Sequence, residues 1–187
     1  MPDLSQANLT WADLKGASLF WADLTGANLA WADLSGANLV SAEFTGADLT
    51  WAELIAANLT WAVLTEVNMT GADLTKATLI FSKLTRSNLT NATLKGADLA
   101  GANLTGADLT WAELTGANLI GARLGKANLE GADLTGAILT GAILTEANLT
   151  GAKFCKTTMH RWCSELFRLI DKSHPNLSTK SSALKCV

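Results

Sequence analysis

Histidine, cysteine and charge are scarce along most of this chain. Its 187 residues include two histidines, His160 and His174, and three cysteines, Cys155, Cys163 and Cys186. All five follow residue 154, so the long stretch before them holds neither the commonest general base nor a thiol nucleophile. A metal site built from Cys155, His160, Cys163 and His174 would lack any standard zinc spacing. The odd cysteine count gives no disulfide framework, and Cys163 reads as a small apolar packing residue. A reducing cytoplasm is the simplest compartment on that count. Charged residues make up 17% of the chain. Its bases are too dispersed to form a nucleic-acid patch. No apolar run approaches the ~18 residues of a membrane span, and the regular pattern begins by Leu4, leaving no room for a signal peptide. Carboxylates are so evenly spread that no pair stands out as an acid and base. Glycine-rich stretches such as Gly101 to Gly106 recur with the rest of the pattern and mark turns, not a phosphate loop. The expectation is a protein with no enzymatic activity, cofactor, metal, membrane span or direct nucleic-acid contact.

What the chain does have is a column of leucines. Every fifth residue from Leu4 to Phe154 is large and apolar, and of these 31 residues 28 are Leu; the others are Phe44, Met69 and Phe154. Two residues before each, from Ala7 to Ala152, stands Ala, except at Val67, Ser82 and Ser87. An α-helix would spread residues five apart over every face, and a straight strand would send them to alternate sides. Neither can bury this pattern. The chain must therefore turn after every five residues so that each Leu points inward, with Ala in the tight corner and Asp, Asn, Thr and Gly outside. No residue breaks the register, so no loop projects.

The unit Ala22-Asp23-Leu24-Thr25-Gly26, followed by Ala27-Asn28-Leu29, resembles the pentapeptide-repeat proteins over residues 2–159. The resemblance implies an all-β solenoid: a right-handed quadrilateral β-helix with four repeats per square coil. The periodicity alone shows only five and ten. Twenty residues per coil gives about eight coils, stacked at strand spacing of ~4.8 Å into a rod on the order of 37 Å long. One coil has no neighbour to bury its Leu against, so stability must be collective.

Square coils would stack residues twenty apart. Trp11, Trp31 and Trp51 then form one aromatic ladder, with Trp111 further along the same face. Trp21, Trp61 and Phe81 fall on the opposite face, which also gathers Phe20, Val40, Ile80 and Ile120. Stacked rings stiffen a rod, but Trp is also enriched in binding hot spots, and exposed apolar patches mark interfaces. A second column runs just before Leu: Asp13, Asp33, Glu53 and Asp73, rejoined by Glu113 and Asp133. Residues 1–75 carry a net −8, whereas residues 76–154 carry +1 and residues 155–187 carry +4. Over nearly four coils, about 18 Å, that is one charge per ~2.2 Å, close to the ~1.7 Å of duplex DNA. These carboxylates either cap backbone N–H groups or imitate a nucleic-acid backbone. Residues 63–93 are the least regular, through Val63, Val67, Met69, Ser82, Lys83 and Ser87, which reads as drift in a tolerant scaffold or as a contact band.

After Phe154 the period changes. Met159, Trp162, Cys163, Leu166, Phe167, Leu169 and Ile170 fall at helical spacing, and Pro175 ends the pattern. The sequence thus divides into a repeat domain over 1–157, a helix over 158–174 and a polar disordered tail over 175–187. The helix, through Met159, Trp162, Leu166, Phe167 and Ile170, is expected to cap the open coil end or join two copies. Three functional readings follow. In the first, a bacterial protein-binding scaffold or regulator uses its aromatic faces on a partner protein, as the resemblance to regular Leu-centred cyanobacterial members implies. In the second, the acidic half mimics DNA and binds DNA gyrase, as other members of that family do. In the third, the solenoid is structural and has no partner.

Overall fold

A computed structural model describes residues 2–159 of the protein. Within them the chain returns to the same place every twenty residues. Parallel β-bridges join Asp3 to Asp23, Asn8 to Asn28, Asp13 to Asp33 and Ser18 to Asn38, and the series continues unbroken to Ile138 and Thr158. Four bridged positions per twenty residues make a four-sided coil, and the eight coils expected are present.

The corner is the same each time. The amide of Ala7 donates to the carbonyl of Leu4 at 3.1 Å, Ala12 to Leu9 at 3.0 Å, and so on along the chain. The third residue of each such turn is left-handed: all 31 residues standing two after a core residue, from Gln6 to Lys156, have positive φ. A turn closed between residues i and i+3 with positive φ at its third position favours Gly or Asn there. That explains the glycines at 14 of these sites; the other 17 carry side chains in a strained conformation.

Between corners only one residue pairs with its neighbours, so the sides are isolated bridges and not the strands an all-β solenoid suggests. The reason is length: a five-residue side spends most of itself on the turn. Each side still makes a full ladder. Leu24 N–H donates to Glu43 O at 2.7 Å, Gly26 N–H to Thr45 O at 3.0 Å, and Glu43 N–H to Ala22 O at 2.9 Å. The polar backbone is thereby satisfied around a dry interior.

That interior is the Leu column with its Ala corners. From Ala22 to Ala137 every core residue is fully buried, Phe44 and Met69 included. Burial fades towards the start, where Leu4, Leu9 and Leu14 are only partly covered. The irregular residues 63–93 keep the same core. Val67 is too large for an Ala corner, and its amide stretches to 3.4 Å from Leu64 O. Ser82 and Ser87 are buried but satisfied: their hydroxyls donate to Leu79 O at 2.7 Å and Leu84 O at 2.8 Å. The band keeps the coil of its neighbours.

Two expectations need comment. The cap helix over 158–174 and the tail after it fall, but for residues 158 and 159, outside the described residues. Met159, the one named cap residue inside them, packs against the end of the core; Trp162, Leu166, Phe167 and Ile170 lie beyond. The reading of the cysteines is corrected, because Cys155 is disulfide-bonded. The inference of a reducing cytoplasm therefore loses its support. No helix among the described residues is long and apolar enough to cross a membrane.

Collective burial sets the first prediction. Leu79→Ala, in the fully buried middle, should cost about 3–5 kcal/mol in urea unfolding, and Leu9→Ala, at the partly covered end, less than half as much. Equal losses would contradict the stacking described.

Candidate functional site: the aromatic faces

Each exposed aromatic follows from the corner geometry. The left-handed residue points its side chain away from the core, and successive coils place such residues twenty apart. Trp11, Trp31 and Trp51 stack as the spacing predicts, with ring centroids 5.1 and 5.6 Å apart and planes within 10° and 19°. Trp61 and Phe81 stack at 4.7 Å. Trp111 stands three coils beyond Trp51 and joins no ladder. Trp21 has no parallel partner either, because Ser41 occupies the next coil; its neighbour Phe20 lies 5.9 Å away, tilted by 55°.

Three of the rings share one direction. Trp51, Phe81 and Trp111 lean towards the later coil, where each meets a glycine. A Cβ added to Gly71 would stand 2.4 Å from the Trp51 ring, one at Gly101 2.4 Å from Phe81, and one at Gly131 2.4 Å from Trp111. These glycines therefore serve twice, in the turn and as seats for rings. The sequence showed no sign of the second role.

Magnitudes separate the two kinds of ring. A left-handed non-glycine residue costs on the order of 1–3 kcal/mol. A stacked pair returns about 0.5–1.5 kcal/mol. Trp31, stacked on both sides, roughly offsets its own strain. Trp21 does not, and it is 53% exposed, whereas Trp111 rests its ring on Gly131. Packing alone does not account for Trp21.

The acidic column behaves differently. Asp13, Asp33, Glu53 and Asp73 do stack, bridge to bridge. The three aspartates accept hydrogen bonds from the amides two residues on: Lys15 at 3.2 Å, Ser35 at 2.8 Å and Thr75 at 2.8 Å. Lys15 reaches Asp33 at 3.6 Å, and Lys95 pairs with Glu113 in the same column. The carboxylates are thus partly spent on the backbone and on neighbouring lysines. Side-chain and backbone hydrogen bonds from Ser5 hold the Asp3 carboxyl below the usual range. Burial pushes Asp133 up, but Thr135, Lys153 and Lys95 outweigh it and leave its carboxyl lowered. On the neighbouring face the polar column is tied coil to coil, with Asn68 donating to Thr50 Oγ1 at 2.8 Å and Asn128 to Thr110 Oγ1 at 2.7 Å. No group of three or more His, Cys, Asp or Glu among the described residues could hold a metal ion.

The family model for pentapeptide repeats matches in 8 copies, over residues 3–39, 42–79, 82–121, 112–151 and 122–161. The chain belongs to the pentapeptide-repeat family. It is 34% identical to the crystal structure of HetL, a protein involved in heterocyst differentiation regulation in the cyanobacterium Nostoc sp. strain PCC 7120; the match covers 84% of this chain and 80% of that one at a TM-score of 0.56. It is 32% identical to a pentapeptide-repeat protein of the Arabidopsis thaliana thylakoid lumen, over 59% of this chain and 74% of that one, at a TM-score of 0.55. QnrB1, a plasmid-mediated fluoroquinolone resistance protein, matches over 91% and 96% of the two chains at a TM-score of 0.54 with 16% identity, which is a likeness of fold. These likenesses imply a right-handed quadrilateral β-helix. None of the curated proteins matches the chain.

Two predictions follow from the strain and the caps. Trp31→Gly loses two stacks while relieving the strain that they offset and should change stability by no more than about 1 kcal/mol, whereas Trp21→Gly relieves strain without losing a stack and should leave the melting temperature unchanged or higher. For Asp3, Asp33 and Asp133 the sign is fixed by lowered folded-state pKa values. Their stabilisation is complete above the unfolded Asp value of ~3.9 and is lost as pH falls through the folded value. Urea midpoints should therefore be flat from pH 5 upwards and fall below pH 4, with a shallower fall in Asp133→Asn.

Proposed function

We propose that this protein is a non-enzymatic scaffold that holds a partner protein against the aromatic face formed by Phe20, Trp21, Trp61 and Phe81. The observation that carries this reading is the unreturned strain. Trp21 holds a left-handed backbone without a parallel ring, and all four side chains on this face are exposed. Trp61 stacks with Phe81, and the coil before it offers only Ser41, so its other ring face has no aromatic cover. Large aromatics in a row at an edge are what hot spots are made of. The second aromatic face, Trp11, Trp31 and Trp51, is largely self-satisfied by stacking and serves as a secondary contact. The likeness to HetL, which is involved in differentiation regulation, supports a regulatory use of such a surface.

A second reading keeps the acidic column as a DNA-like surface engaged by a DNA-binding enzyme such as gyrase. The −8 of the first 75 residues favours it. The capped aspartates and their lysine partners count against it, because a mimic must present its charge.

The experiment is capture of a partner from source lysate by the whole chain and by a variant carrying Trp21→Gly, Trp61→Gly and Phe81→Gly. Glycine is the residue the turn prefers, so the variant should fold. The partner should be lost from the variant and retained by the wild type at 0.5 M NaCl. A partner held equally by both proteins and released by salt would overturn the aromatic reading and move the site to the acidic half.

A further inference from the structure

One glycine does not fit the pattern. Fourteen of the fifteen glycines sit at left-handed corners; Gly125 does not. It stands directly after Leu124, where the repeat usually carries Thr. Its backbone does not demand glycine, and an added Cβ would meet only Thr145 O, at an ordinary 3.7 Å. What its missing side chain leaves is a depression of about 180 Å³ on the outside of the rod. The surrounding departures from the repeat collect there. Arg123 and Ile143 replace the usual Asp or Asn, and Lys126 and Glu146 stand at the adjoining corners. Arg123, Lys126, Ile143, Thr105, Thr145 and Glu146 line the depression with Gly125.

We propose that this depression binds the C-terminal residue of a partner peptide, its carboxylate held by Arg123 and its aliphatic side chain lying on Gly125 against Ile143. The size is that of one side chain: below the roughly 300 Å³ of small-molecule cavities, and close to the ~150 Å³ that admits benzene. The charge is complementary. No carboxylate among the described residues lies within ion-pair distance of Arg123, whose guanidinium matches the carboxylate fork. Lys126 is shared with Glu146 at 3.8 Å, an exposed pair of the kind that contributes little and that an incoming carboxylate can displace. Ile143 is an exposed isoleucine with no packing duty in the core. This site lies in later coils than Trp21 and Trp61 and does not depend on the aromatic face.

The test is an NMR titration of the whole ¹⁵N-labelled chain with N-acetyl-glycyl-leucine as the free acid and as its C-terminal amide. The acid should shift the Gly125, Lys126 and Thr145 amides saturably with a Kd on the order of millimolar, and the amide at least tenfold more weakly. Gly125→Thr restores the repeat residue and should abolish the shifts without loss of fold. Arg123→Asn, another repeat residue, should weaken binding about tenfold, and Glu146→Gln should strengthen it a few-fold. Equal binding of acid and amide, unchanged binding in Gly125→Thr, or no saturable shift with the acid at concentrations of tens of millimolar would each overturn the proposal.

Discussion

Each Ala amide donates to the carbonyl of the Leu three residues before it, and the rest of the rod depends on that bond. It closes a corner whose third residue must be left-handed. The corner turns the next Leu inward, sets the four-sided coil and brings residue i under residue i+20. The ladder between coils follows, because only one residue per side is free to pair. The same bond explains composition: Ala fits the corner, Gly tolerates its φ, and Asp or Asn accepts the amide two residues on. Fold and surface are therefore not independent. Every residue carried outward at a corner is carried at a backbone cost.

That cost turns an ordinary surface into an informative one. On most proteins an exposed Trp needs no explanation. Here it sits where glycine is favoured, so its presence must be balanced by something. For Trp11, Trp31 and Trp51 the balance is stacking, at centroid distances of 5.1 and 5.6 Å. Trp111 rests its ring on Gly131, and Trp21 has beside it only the tilted ring of Phe20, so its strain is not returned by a parallel stack. The acidic column shows the opposite case. Its aspartates looked costly when stacked, yet hydrogen bonds from Lys15, Ser35 and Thr75 amides give them structural work.

Much of this was legible in the sequence. Leu at every fifth position, with Ala two before it, leaves no regular secondary structure that buries the column, so a coil is forced. The ladder of Trp11, Trp31 and Trp51 follows once the coil has twenty residues. The twenty itself did not follow from periodicity, since three-, four- or five-sided coils share a period of five; it came from likeness to a family. The direction in which the rings lean was not legible, because it depends on side-chain rotation at the corner, and neither were the glycine seats at Gly71, Gly101 and Gly131. The disulfide at Cys155 was missed because spacing alone cannot pair three cysteines.

A repeat also supplies its own standard of comparison. In an irregular fold a glycine, an arginine or a serine is judged against general tendencies. Here each is judged against thirty equivalents in the same backbone. Ser82 and Ser87 depart from Ala, but both are buried and their hydroxyls are satisfied, so the corner keeps its shape. Val67 departs and strains one hydrogen bond. Gly125 departs without backbone need, and Arg123 and Ile143 depart beside it. Drift has no reason to gather three exceptions of complementary chemistry around one opening. A bound ligand would, because each exception then answers to the same object: glycine to its bulk, isoleucine to its apolar stem and arginine to its charge.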